Sequence, residues 1–134
     1  LSYEKRKINA AKIINMQKKK TGKLFEFCCL APAIVSGKNK RVKKDMSFIG
    51  EELGFLFQIA DDLLDIKGSK TNVGKPVKKD KKKGKSTLIK LLGYNKTLEF
   101  AFTRKKMIIN KLKKYGVKSN KLIKITDFIL DRSY

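Results

Sequence analysis

Residues 41–66 read RVKKDMSFIGEELGFLFQIADDLLDI. Val42, Met46, Ile49, Leu53, Leu56, Phe57, Ala60 and Leu64 return mostly at three- and four-residue steps, the interval at which side chains revisit one side of an α-helix. The run therefore predicts one long buried helix. Gly50 and Gly54 lie one turn apart within it. Both lower helix propensity in isolation, so their presence in so apolar a run points to a helix packed closely alongside.

Toward the end of that run Gln58, Asp61, Asp62 and Asp65 interrupt the apolar pattern, again at helical spacing, and so share a face. Three neighbouring carboxylates repel one another unless a cation lies among them. With no histidine in the chain, an oxygen-only donor set suits a hard ion, Mg2+ with Mn2+ as its substitute. Magnesium keeps several waters and bridges to phosphates, so a phosphate ligand is implied. The competing reading is a helix-end acid cluster neutralised by lysines. Against it, the acids follow the most hydrophobic part of the chain, residues 53–60, where an uncompensated buried trio is costly.

The flanking segments predict an all-α protein, a helical bundle. A first helix, with Ser2 as its N-cap, carries Ile8, Ala11, Ile13 and Ile14. A second spans residues 17–36 with Leu24, Phe25, Cys28, Leu30, Ala31 and Ile34, and a kink is expected at Pro32. Residues 67–86 lose all periodicity among glycines and lysines and read as a loop. Ser86 or Thr87 then opens a short helix that Gly93 ends. A helix over residues 96–115 should bury Leu98, Ala101, Phe102, Ile108, Ile109 and Leu112 and stop at Gly116, and a last one over residues 119–131 should bury Leu122, Ile125, Phe128 and Ile129.

The formal net charge of +22 on 134 residues draws polyanions of every kind. Lysine supplies nearly all of it, with arginine only at Arg6, Arg41, Arg104 and Arg132, which disfavours base-reading of nucleic acid. Roughly three quarters of the lysines are assigned to solvated faces. Cys28 and Cys29 are adjacent and cannot readily bridge each other, so they read as buried thiols of a reducing, cytoplasmic compartment. No apolar run approaches a membrane span, and the opening at Leu1 suggests a fragment.

Phe57-Gln58-Ile59-Ala60-Asp61-Asp62-Leu63-Leu64-Asp65, then Gly68, Gly74-Lys75, Asp80 and Gly84-Lys85-Ser86-Thr87, resembles the second aspartate-rich region of trans-isoprenyl diphosphate synthases, most of all the bacterial farnesyl and geranylgeranyl diphosphate synthases. Lys20-Thr21-Gly22-Lys23-Leu24 resembles the family's Lys-Thr motif, and residues 122–132 its terminal helix. Ala31-Pro32 departs from the Gly-Ala that relatives tend to carry. The resemblance implies that residues 1–134 form the C-terminal portion of an isoprenoid synthase fold and that the complete enzyme is a Mg2+-dependent prenyltransferase. That enzyme would join an allylic diphosphate to isopentenyl diphosphate, as a homodimer. It assigns Asp61, Asp62 and Asp65 to the metal, Lys20, Lys75 and Lys85 to the diphosphate, and Lys20, Thr21 and Gln58 to the reacting centre. The family's first aspartate-rich motif and its isopentenyl diphosphate site have no counterpart in this sequence, so the chain alone is expected to be inactive. A terpene cyclase, a basic helical nucleic-acid-binding module and a silent partner subunit are the alternatives. Product length is not readable from these residues.

Overall fold

A computed structural model describes residues 10–71 and 88–131. Among them the chain forms α1 (Ala10–Gln17), α2 (Lys23–Val35), α3 (Lys40–Thr71), α4 (Leu88–Leu92), α5 (Tyr94–Lys113) and α6 (Asn120–Asp131). A π-helical turn, Lys18–Gly22, joins α1 to α2, and a 3-10 turn, Gly116–Ser119, precedes α6. The described residues contain no strand.

Asn39 starts α3: its Oδ1 accepts the backbone N–H of Val42 at 3.0 Å, satisfying one of the amides left without a partner at a helix start. At 32 residues α3 is the axis of the bundle, touched by every other helix. One side of it receives α2 and the π turn. Another meets α5, where Ile49, Leu56 and Leu63 join Ala101, Ile108, Leu112 and Leu130 in a core from which water is excluded. Each such Leu or Ile side chain contributes about 1.5–3 kcal/mol by leaving water.

Two of the turns that need glycine flank α5. Gly93, at φ +83°, closes α4 by donating its N–H to the carbonyl of Ile89 at 2.8 Å, and Gly116, at φ +60°, turns the chain after α5. L-residues with a Cβ rarely take that conformation.

Several expectations are revised. Helix α2 continues through Pro32 to Val35, and Ser36 supports its end by donating both its backbone N–H, at 3.0 Å, and its hydroxyl, at 2.6 Å, to the Pro32 carbonyl. The irregular turn lies earlier, at Lys18–Gly22. Helix α3 runs through Gly68 to Thr71, where a loop was expected from residue 67. Cys28 is exposed, and only Cys29 is partly covered, burial pushing its thiol up. Ala11 is exposed while Ile13 is buried. Phe102, Ile125 and Phe128, expected inside, are exposed, because α5 and α6 meet through Ala101, Thr126, Ile129 and Leu130 instead. Thr126 tolerates complete burial by donating its hydroxyl to the Leu122 carbonyl at 2.7 Å. The Ser2 cap, Ile8, and Ser86 and Thr87 lie outside the described residues.

Candidate active site

A regular helix turns about 100° per residue, so Gly50, Gly54, Gln58, Asp61, Asp62 and Asp65 form one stripe along α3, roughly opposite the core-facing Leu56 and Leu63. The first half of the stripe is covered by backbone. A Cβ on Gly50 would lie 2.5 Å from Cα of Glu26 and 2.6 Å from the carbonyl oxygen of Phe25. One on Gly54 would lie 2.7 Å from Cα of Gly22. Helices α2 and α3 therefore pack main chain to main chain and antiparallel, as the glycine pair suggested. The second half emerges from beneath α2: Gln58, Asp61 and Asp62 are half-buried and Asp65 is exposed.

At the π turn the chain reaches the core side of α3, where Lys18 donates to Glu52 Oε1 at 2.5 Å, and α1 goes on to touch α4 and bury Ile13. π turns recur at functional sites, and this one carries Thr21, half-buried and adjacent to the Gly22–Gly54 contact, one helical turn from Gln58.

Glu52 was not anticipated from the sequence. Only 1% exposed, it accepts from Lys18 and, at 3.3 Å, from Arg104 Nη1 of α5. The Arg104 guanidinium lies 4.7 Å from the ring centre of Phe100 and 5.9 Å from that of Phe55, while its buried Nε has no hydrogen-bond partner among the described residues. One buried carboxylate thus ties the π turn to α3 and α5. The signal was present: Asp45 and Glu52 sit in phase with Ile49, Leu56 and Leu63 on the core side of α3.

The lysines of the Lys-Thr motif are not equivalent. Lys23 donates to Glu26 at 2.6 Å and to Glu51 at 2.9 Å, and these bonds hold its ammonium charged beyond the ordinary lysine range. Glu26, which also accepts from Ser47 at 2.6 Å, is held below the usual carboxylate range, chiefly by Lys23. With two carboxylates as partners, Lys23 is spent on the α2–α3 seam. The backbone of Lys20 lies on the π turn, its side chain outside what is described, and Lys75 and Lys85 fall outside the described residues.

Asp61 and Asp65 stand one turn apart, about 6 Å along the axis. Burial does not concentrate these acids as residues 53–60 suggested, because the stripe faces away from the core. Among the described residues no three His, Cys, Asp or Glu side chains close around an ion. A row of carboxylate oxygens is nonetheless chemically matched to Mg2+, which is bound through one or two carboxylates with waters and substrate phosphate completing the shell.

The sequence profile of the polyprenyl synthetase family matches residues 1–126. The farnesyl diphosphate synthase of Geobacillus stearothermophilus is 37% identical over 84 residues, 60% of this chain and 28% of that protein. The crystal structure of geranyltranstransferase from Thermotoga maritima is 32% identical and superposes with a TM-score of 0.66 over 97% of this chain and 42% of its own. That of the Helicobacter pylori geranyltransferase, solved with magnesium and isoprenyl diphosphate, reaches 0.74 over 98% of this chain and 43% of its own, and at 23% identity it speaks for the fold alone. The chain spans about a third of the length of the curated relatives it matches. Among the described residues no helix is long and apolar enough to cross a membrane. On this match and on the all-helical isoprenoid synthase architecture, the chain belongs to the polyprenyl synthetase family.

Proposed function

We propose that this chain supplies the diphosphate-activating side of a prenyltransferase that joins an allylic diphosphate to isopentenyl diphosphate, of the farnesyl or geranylgeranyl type. The carrying observation is the continuity of the α3 stripe. Gly54 seats the Thr21–Gly22 turn one helical turn from Gln58, and the carboxylates follow on the same face.

In the reaction the allylic C–O bond breaks with its electron pair going to diphosphate, the isopentenyl double bond forms the new C–C bond, and a proton is released. Asp61, Asp62 and Asp65 would hold Mg2+, which supplies charge neutralisation for the leaving diphosphate. Lys20, with Lys75 and Lys85 outside the described residues, would add mobile cations to the phosphate oxygens. The hydroxyl of Thr21 and the amide oxygen of Gln58 would face the carbon where positive charge grows, dipoles fixed before the charge appears. Half-burial of Gln58 and Thr21 supports that role by limiting water at the cation.

No second carboxylate cluster occurs among the described residues, so the site would grip one diphosphate from one side. Residues 1–134 alone should therefore show no elongation with dimethylallyl diphosphate, isopentenyl diphosphate and Mg2+. Co-expression with the N-terminal half of a relative should restore it. Turnover by the chain alone would mean that a single carboxylate cluster suffices. Hydrocarbon released from farnesyl diphosphate without isopentenyl diphosphate would instead indicate a cyclase.

A further inference from the structure

The charge of the chain is not spread evenly over the bundle. The first turns of α3 meet the end of α5, where Asp45 accepts from Lys111 at 2.9 Å and from the Tyr115 hydroxyl at 2.7 Å. At this pole, residues 33–46 and 110–122 carry ten Lys or Arg and a single carboxylate, Asp45, which is buried and paired. Elsewhere in the described chain thirteen basic residues are set among nine acidic ones, so among the described residues most of the excess lies at this pole. Lys38, Lys40, Arg41 and Lys44 are exposed on the α2–α3 side. Lys113, Lys114, Lys118 and Lys121 are exposed on the α5–α6 side.

Two apolar side chains stand among these cations. Val35, the last residue of α2, is 88% exposed, and Val117, on the 3-10 turn, is 82% exposed. Ile34 beside the first is 52% exposed. Isolated valines at the tips of a lysine-rich surface gain nothing from a nucleic-acid duplex, whose edges and phosphates are polar. They gain by entering the boundary between headgroups and acyl chains, while lysines around them meet anionic headgroups. The cations are lysine apart from Arg41, suited to diffuse negative charge rather than to base edges.

We propose that this pole is a peripheral docking surface for an anionic lipid bilayer, with Val35 and Val117 entering the interface and the surrounding lysines held at the headgroups. It does not depend on the catalytic reading. The pole lies at the opposite end of α3 from the aspartates, about 30 Å from Arg41 to Asp61 at 1.5 Å per residue, so a docked chain keeps its carboxylate stripe clear of the surface.

The test is co-sedimentation of residues 1–134 with vesicles of phosphatidylcholine alone or with phosphatidylglycerol added, at physiological salt. Binding should need the anionic lipid. Charge reversal by Lys38→Glu, Lys40→Glu, Lys118→Glu and Lys121→Glu together should abolish it. Val35→Gln with Val117→Gln, which leaves the charge intact, should weaken it roughly five- to tenfold by withholding apolar area from the interface. All six positions are exposed, so the melting temperature should be unchanged, and a folded variant that still binds fully overturns the proposal. So does an equal loss from reversing Lys19, Lys90, Lys96 and Lys106, which would reduce the effect to net charge. A valine pair without effect, together with tighter binding to duplex DNA than to anionic vesicles, would replace the bilayer by nucleic acid.

Discussion

Glu52 links three elements through one buried carboxylate, and its removal strands a half-buried guanidinium and an ammonium. Glu52→Ala should destabilise the chain by about 3–5 kcal/mol in denaturant unfolding, the range for breaking a buried pair from one side. A midpoint unchanged from the parent would show that Lys18 and Arg104 find equal partners elsewhere. Asp45 gives a pH signature. Lys111 first, then Tyr115, hold its carboxyl below the ordinary 3.8, so its contribution is present above about pH 4 and lost as pH falls through the folded value. Burial first, then Asp45, push the Tyr115 phenol from 10.0 to about 12. The folded chain then keeps a proton the unfolded chain gives up, so stability declines between those values as pH rises. Melting temperatures from pH 2 to 12 should fall at both ends, and Asp45→Asn should flatten the acid limb and shorten the alkaline one. Asp61→Ala, in a complete subunit carrying this chain, should lower turnover on the order of 100-fold or more, as loss of a charge-stabilising group does. Near-normal turnover would remove the stripe from the chemistry.

The α2–α3 seam is the element most sensitive to a single carbon. Gly50→Ala would place its methyl within 2.5–2.8 Å of three backbone atoms of residues 25 and 26, which have no rotamer with which to retreat. The helices must separate, at a cost of about 1–3 kcal/mol or more; melting at least as high as the parent would contradict the seam. The glycine pair, the start of α3 and the shared face of the aspartates were legible because each is written in helical periodicity, whereas the end of α3 at Thr71 was not. Nor was the π turn: Lys18-Lys19-Lys20 has no periodicity of its own, and Lys18 meets Glu52 on the core side of α3. Phe128 misled in the opposite direction. Hydrophobicity placed it inside, whereas small and hydroxyl side chains at Ala101 and Thr126 let α5 and α6 approach on a different face.

At the scale of the whole molecule there is one well-filled core, and large apolar side chains on both α2 and α6 are left exposed among the described residues. Leu24 and Phe27 on α2 are 64% and 67% exposed, and Phe128 on α6 is 67% exposed. Large exposed side chains of this kind promote association. Residues 1–134 should therefore sediment above monomer mass at tens of micromolar, a generic range for exposed apolar patches. Phe27→Ser with Phe128→Ser should shift the chain toward monomer without lowering its melting temperature. A strictly monomeric parent would mean that these side chains are covered by other parts of the chain.

The π turn also sets how the chain tolerates changes in length. A turn closed by i to i+5 bonding holds about one residue more than an α turn, so removing one of Lys18, Lys19 or Lys20 would let the helix run regular from α1 into α2. The wide turn is what absorbs the extra residue, so its loss would leave the helices on either side in the register they now hold. Ile13 would keep its place in the core, and the Gly22–Gly54 seam would stay in register. Deletion of Lys19 or Lys20 within the turn should thus be milder than deletion of one residue inside α1 or α2, which would rotate the two flanks by about 100° against each other.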